Sequence, residues 1–164
     1  MSKYCIYSSI SILSLLITLS SFASSCHNPS LTWLEQMNAS RQSTVLLHND
    51  SSLIPVIDLD NKRFASVNIG SVNATMFDSI ANKYTAVDRF SAEAYKSDAN
   101  LNGLSTDLKL YNSVIVQIGQ EAIYKESTLR FLKDMERSKQ LVVVLYGAAN
   151  TLAHLDSLES PLIW

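Results

Sequence analysis

The strongest constraint on the fold is the alternation of short apolar runs with segments of helical periodicity. Four runs are typical of strands: 64–69, 85–90, 114–118 and 141–145. The segments between and after them are typical of helices: 74–83, 106–110, 127–135 and 150–155. Short apolar strands that alternate with helices indicate a parallel sheet covered on both faces. We therefore predict an α/β fold, a three-layer α/β/α sandwich with a mostly parallel sheet.

Both ends of this alternation have further structure. A helix is predicted to begin at Pro29-Ser30 and to end with Val45-Leu46-Leu47. Leu53–Val56 is predicted to be extended, because a residue before proline avoids the helical region. Pro161–Trp164 begins an apolar fifth strand with no helix after it. We therefore expect the domain to be incomplete at the C-terminus.

The N-terminal residues have the three parts of a secretory signal. Lys3 supplies a positive charge, 10–19 is apolar, and 20–25 consists of small residues and one Phe. The apolar run is shorter than the about 20 residues that span a bilayer, so a cleaved signal is favoured over a membrane anchor. We predict a signal peptide at 1–25 and one domain at 26–164. The expected location is the bacterial periplasm, the cell envelope or the medium.

Two interpretations of the cleavage site remain open. Ser21-Phe22-Ala23 suits ordinary signal peptidase, whereas Ala23-Ser24-Ser25-Cys26 resembles a bacterial lipobox. In the second case Cys26 is lipidated and attaches the protein to a membrane. Cys5 lies inside the signal, so Cys26 would be the only cysteine of the mature chain and could not form an internal disulfide.

Charge and motifs argue against several functional classes. The formal net charge is −2 and no basic patch is present, so we predict no nucleic-acid partner. The glycine-rich motifs of dinucleotide sites and P-loops and the G-x-S-x-G serine elbow are missing, and we predict no cofactor. His27, His48 and His154 do not have zinc-site spacing with Cys26. We predict no metal and place the histidines at the surface.

Paired carboxylates are the remaining candidates for glycosidase chemistry. The candidate pairs are Asp58/Asp60, Glu121/Glu126 and Asp134/Glu136. The first pair is typical of a solvated turn, and the third points in two directions on a helix. Glu121 and Glu126 follow a strand, where open α/β sheets bind ligands. Any binding site is therefore expected at the carboxyl ends of the strands, near Gly70, Gly119 and Gly147.

Residues 41–56 carry the most specific pattern, which is a serine, a Val-Leu-Leu run, an asparagine, and then a leucine and a proline. The residues that form it are Ser43, Val45, Leu46, Leu47, Asn49, Leu53 and Pro55. Their order and spacing resemble the entry to the C-terminal domain of family-3 glycoside hydrolases, with bacterial β-N-acetylhexosaminidase-like members the most similar. His48 replaces the usual lysine, and Ile54 interrupts the usual Leu-Pro-Leu.

The later strands resemble the same domain in order. Residues 63–70 are similar to its first strand and 112–119 to its Val-Ile-Val strand, with Asn112 in the acidic position. The strand at 141–147 keeps the aromatic-Gly ending and loses the Asn-Pro after it. The resemblance implies an α/β sandwich that acts on β-linked sugars, with N-acetylglucosaminides expected, and with a carbohydrate partner only together with a barrel domain.

The resemblance transfers no catalytic residue. In this family the nucleophile lies on an N-terminal barrel, for which we find no counterpart here. We therefore expect a fragment that is inactive alone. The alternatives are an exported, non-enzymatic module that binds a sugar or a partner protein, and a decayed gene product.

Overall fold

A computed structural model describes residues 29–70, 75–95 and 101–164 of the chain. The chain divides into two compact units, Met1–Arg41 and Gln42–Trp164. Helix α1 spans Pro29–Ser43, and its Trp33 is 61% exposed. The predicted signal, Cys26 and His27 lie outside the described residues.

The second unit is built on a six-stranded sheet. Its strands are β1 (Leu46–His48), β2 (Phe64–Ile69), β3 (Val87–Ser91), β4 (Ser113–Gly119), β5 (Gln140–Tyr146) and β6 (Leu162–Ile163). They lie in the order β1-β6-β5-β4-β2-β3. The β1–β6 pair is antiparallel, and every other pair is parallel. The predicted α/β sandwich with a mostly parallel sheet is confirmed.

Within the described residues of this unit, three α-helices and five 3₁₀ segments connect the strands. The α-helices are α2 (Thr75–Ala81), α3 (Asn102–Asp107) and α4 (Glu126–Ser138). The 3₁₀ segments are Leu59–Asn61, Ala92–Tyr95, Leu108–Leu110, Gln120–Tyr124 and Ala149–His154. Two predicted helices, near 106–110 and 150–155, therefore form partly or wholly as 3₁₀ turns.

The main core lies on one face of the sheet. Strand side chains alternate between faces, and the set that includes Val67, Val116 and Val143 is fully buried. Helix α4 places Phe131 and Leu132 against this face in one core cluster, to which α3 also contributes. The apolar period of α4 predicts this packing, because its buried residues recur at helical spacing.

The opposite face is covered by α2 and by the segment 53–56, which forms neither a helix nor a strand. Leu53 and Val56 line the same small void as Ile115 and Val142, which point to this face. Asn49 holds the segment in place, because its Oδ1 accepts from the Ile54 N–H at 3.0 Å and its Nδ2 donates to the Ile54 carbonyl at 2.6 Å. The segment forms neither a helix nor a strand and bends at Pro55, so the predicted extended conformation stays a prediction.

The prediction for Val45-Leu46-Leu47 is wrong, because these residues do not end a helix. Leu46 and Leu47 belong to strand β1, and the Val45 and Trp164 backbones exchange two hydrogen bonds of 2.6 and 2.8 Å. The partner strand comes from the far end of the sequence, so local periodicity does not reveal the pairing. Strand β6 is thereby paired on both sides, by β5 and β1. The expected C-terminal incompleteness of the sheet stays a prediction.

Among the described residues, none of the helices combines the length and the apolar character that crossing a bilayer requires.

Candidate functional site

The carboxyl ends of β2, β4 and β5 meet at one edge of the sheet, which we call the carboxyl edge. Gly70, Gly119 and Gly147 all lie there, because these strands are parallel neighbours in register. A Cβ added to Gly70 would lie 3.2 Å from the Cβ of Ala122, and one added to Gly147 would lie 3.1 Å from the Cβ of Gln120. These two glycines therefore allow the strand ends to pack against the 3₁₀ segment after β4.

A buried polar network lies beside these glycines, on the face covered by α2. Gln117 of β4 is fully buried, and its Nε2 donates to Ser66 Oγ at 2.9 Å and to Asp78 Oδ1 at 3.2 Å. Ser66 and Asp78 are 2% and 3% exposed. Because an unsatisfied buried polar group costs roughly 1–3 kcal/mol, these contacts attach α2 to the centre of the sheet.

Two partly exposed side chains connect this network to solvent. Arg89 of β3 places Nε 3.9 Å from Asp78 Oδ2 while its own side chain is 54% exposed. Tyr146, at the end of β5, donates from Oη to Gln117 Oε1 at 3.4 Å and is 45% exposed. Arg89 thus presents donors to solvent, whereas the Tyr146 hydroxyl, whose proton is donated to Gln117, presents an acceptor.

The environment keeps the Tyr146 hydroxyl protonated. Burial is the main cause that raises the pKa of Tyr146 above its ordinary value, and the charge of Asp78 adds to it. At neutral pH the phenol is therefore a neutral donor and acceptor. A network of this kind can bind a neutral ligand rich in hydroxyl groups, because it offers both hydrogen-bond donors and acceptors.

The carboxylates predicted from the sequence lie elsewhere and have other contacts. Glu121 and Glu126 are exposed, and Glu126 Oε1 lies 3.3 Å from Nη2 of Arg130 on the same helix. Asp58 precedes the 3₁₀ turn Leu59–Asn61 and Asp60 lies within it, and both are exposed.

The third pair separates as predicted on α4. Asp134 is exposed, whereas Glu136 accepts three hydrogen bonds through Oε1. They come from the Glu159 N–H, the Ser160 N–H and the Ser160 hydroxyl, at 2.8, 2.7 and 2.6 Å. Glu136 therefore fixes the turn that precedes β6.

The described histidines have surface contacts. His48 Nδ1 lies 3.9 Å from Asp50 Oδ2, and both side chains are largely solvent-accessible. His154 is exposed and packs edge-to-face on Tyr124, with ring centroids 5.0 Å apart. Within the described ranges, no three His, Cys, Asp or Glu residues are grouped so that they could hold a metal ion.

The sequence predictions missed all five members of the network. One signal was available, because Gln117 interrupts the otherwise apolar run Val114–Ile118 of a central strand. A polar side chain in a fully buried strand needs a partner. Asp78, inside the apolar period of α2, was the candidate partner.

Comparison of the chain with protein-family models, with curated proteins and with solved structures returns no match. The resemblance to family-3 glycoside hydrolases therefore stays a prediction, and the fold and the polar network carry the functional argument.

Proposed function

We propose that this chain is the C-terminal sandwich domain of a family-3 glycoside hydrolase and that it binds a β-linked sugar, with N-acetylglucosaminides as the expected class. The observation that carries the proposal is the polar network on the α2 face of the sheet, where Arg89 and Tyr146 reach solvent over buried Asp78 and Gln117, and which extends at Tyr146 to the carboxyl edge. Ligand sites of open α/β sheets lie at this edge.

The chemistry of these side chains suits a sugar. The Arg89 guanidinium has several donors in one plane and cannot lose its charge, so it can donate to two neighbouring hydroxyl groups. The Tyr146 ring offers an apolar surface for the C–H face of a pyranose, and its hydroxyl oxygen, whose proton is donated to Gln117, can accept from a sugar hydroxyl. Asp78 and Gln117 orient both residues, which lowers the entropy that binding costs.

The motif at 41–56 has a structural reason that supports the assignment. The Asn49 side chain forms hydrogen bonds with both the N–H and the carbonyl of Ile54, and the segment that includes Leu53 covers the sheet. Three residues that carry the resemblance (Asn49, Leu53 and Pro55) thus belong to one structural unit.

We expect no hydrolysis by this chain alone. Retaining hydrolysis uses two carboxyl groups about 5–5.5 Å apart across the bond. Asp78 is the carboxylate of the network, and it is buried in contact with Gln117, whereas Glu121 and Glu126 are exposed. A catalytic pair would have to come from a barrel domain. Release of nitrophenol from an aryl N-acetyl-β-glucosaminide by the purified chain would overturn this part of the proposal.

Binding is tested by calorimetric titration of the purified chain with N-acetylglucosamine oligosaccharides. We expect saturable binding that Arg89→Ala weakens about tenfold, which corresponds to about 1.4 kcal/mol. Tyr146→Phe should weaken it about fivefold through the lost hydroxyl contact. Arg130→Ala is the matched control, because Arg130 is 59% exposed and pairs with Glu126 on α4. An unchanged affinity in Arg89→Ala, or no saturation at millimolar sugar, would refute the proposed site.

A partner-binding module is the second candidate, and the outer side of α2 favours it. Met76 is 74% exposed and Ile80 is 50% exposed, one helical turn apart. Exposed neighbouring apolar side chains are typical of protein contacts. If the sugar titrations are negative and Ile80→Lys abolishes capture of one defined envelope protein, this candidate replaces the first.

We also propose export through the signal at 1–25, with Cys26 as the candidate lipidation site. The support is the sequence pattern of charge, apolar run and small residues. The intact mass of the mature protein from a bacterial host tests both parts. An unprocessed N-terminus excludes a cleaved signal, and a mature chain without a diacylglycerol adduct excludes lipidation.

A further inference from the structure

A cavity of about 460 Å³ lies at the opposite edge of the sheet, where the parallel strands begin. It is bounded by the starts of β2 and β3 and by the residues just before β4. This volume falls in the range of small-molecule pockets, roughly 300–1,000 Å³. We call it the amino-edge cavity.

The walls of the amino-edge cavity carry exposed apolar side chains. Tyr84 is 76% exposed and Leu110 is 73% exposed, and both line the cavity. Tyr111 also lines it and packs edge-to-face on Phe90, with ring centroids 5.5 Å apart. Tyr111 is thereby fixed by packing, whereas Tyr84 offers an accessible ring.

The polar groups of the cavity balance in charge. Asp60 and Asp88 face Lys62 and Arg63 around one space. The Tyr111 hydroxyl donates to Asp88 Oδ2 at 2.7 Å, and this hydrogen bond is the main cause that raises the pKa of Tyr111. The Arg63 N–H donates to Asn112 Oδ1 at 2.8 Å, which fixes the backbone beside the cavity.

We propose that the amino-edge cavity binds a neutral pyranose ring, independently of the carboxyl edge. The two aspartates disfavour a phosphate or another anion, and Lys62 and Arg63 disfavour a cation. Planar carboxylate and guanidinium groups can each bind a pair of hydroxyl groups, while the Tyr84 ring covers the apolar face of the sugar. Only the choice of N-acetylglucosamine as the probe rests on the proposed function.

The test is a titration of the isotope-labelled full chain with N-acetylglucosamine, followed by amide chemical shifts in nuclear magnetic resonance. We expect saturable shifts at 84–88 and 110–111. Tyr84→Ala should weaken this binding about tenfold because it removes the ring, and Tyr84→Phe should stay within about twofold because it keeps it. Tyr124→Ala, which removes another exposed aromatic ring outside the amino-edge cavity, is the matched control.

The outcomes separate the two sugar sites. Chemical-shift changes at the amino edge that persist in Arg89→Ala support this inference, even if the residues of the carboxyl edge show no shift changes. Shifts confined to 117–119 and 146–147 would refute it and leave the proposed function standing. Binding of inorganic phosphate with the same shifts, or an unchanged affinity in Tyr84→Ala, would also refute the assignment of a neutral sugar.

Discussion

Gln117→Leu tests whether the buried network holds the second unit together. The side chain is fully buried on the central strand β4, and its amide donates to Ser66 and to Asp78. Leucine has a similar size and is apolar. The substitution therefore removes hydrogen bonds without opening a large cavity, and it leaves the Asp78 carboxylate buried without its amide donor.

The hydrogen bonds of Gln117 determine how much the free energy of unfolding should fall. A hydrogen bond to a charged group contributes roughly 1.5–3 kcal/mol, and a neutral one contributes about 1 kcal/mol. The apolar leucine recovers part of this loss on a buried face. We expect the free energy of unfolding to fall by about 3 kcal/mol, which for a domain of this size lowers the melting temperature by roughly 10 °C.

The assay is urea denaturation followed by circular dichroism. The midpoint should fall and the slope should stay constant, because the surface exposed on unfolding barely changes. Gln36→Leu is the matched control on exposed α1 and should stay within about 0.5 kcal/mol. A loss below about 1 kcal/mol in Gln117→Leu would refute the reasoning. Strict additivity with Ser66→Ala would also refute it, because residues in one network couple.

Three further predictions follow from single contacts. Burial and the charge of Asp78 raise the pKa of Tyr146 in the folded state above its ordinary 10.0. The protonated phenol therefore stabilises the fold below that pH, and this contribution is lost as pH rises through the folded-state pKa. Urea midpoints at alkaline pH should decline less in Tyr146→Phe than in the unsubstituted chain. Glu136→Ala removes the acceptor of three hydrogen bonds from 159–160. We expect the free energy of unfolding to fall by about 2–3 kcal/mol and the amides before β6 to exchange faster. Unchanged amide exchange would contradict the structure. Gly70 has a φ of +94°, and an added Cβ would meet a side chain at 3.2 Å. Gly70→Ala should therefore lower the free energy of unfolding by about 1–3 kcal/mol through backbone strain, measured in the same denaturation assay. An unchanged stability would exclude this strain.

Much of the sheet is predictable because its strands are buried on both faces. Val114–Ile118 and Leu141–Leu145 are continuous apolar runs, and runs of this kind are typical of central parallel strands. Both form as predicted, and both extend by one residue at each end. The edge strand β1 could not be predicted in the same way, because its sheet partner in the described part of the chain is β6, more than a hundred residues away.

The candidate site was harder to predict for a related reason. Its members come from β2, α2, β3, β4 and β5, and no two of them are neighbours in sequence. The local spacing of carboxylates favours Glu121 and Glu126, which are exposed. Asp78 is separated from Gln117 by 39 residues, and only the strand order β4-β2-β3 brings Arg89 close to both.

The side of helix α2 that faces the sheet differs from the side that apolar periodicity predicts. The apolar period predicts an inward face formed by Met76, Phe77, Ile80, Ala81 and Tyr84. Phe77 and Ala81 are partly buried, but Met76, Ile80 and Tyr84 are exposed, and Asp78 is buried. Turning the apolar side inward would gain roughly 1–2 kcal/mol for each residue. It would also leave Gln117, which the central strand holds in place, without its charged acceptor, and it would separate Asp78 from Arg89. The hydrogen bond to a charged group contributes roughly 1.5–3 kcal/mol, which is comparable to that gain, and the Arg89–Asp78 contact adds to it. The contacts of Asp78 with Gln117 and Arg89 therefore offset the exposure of Met76 and Ile80 on the other side of α2.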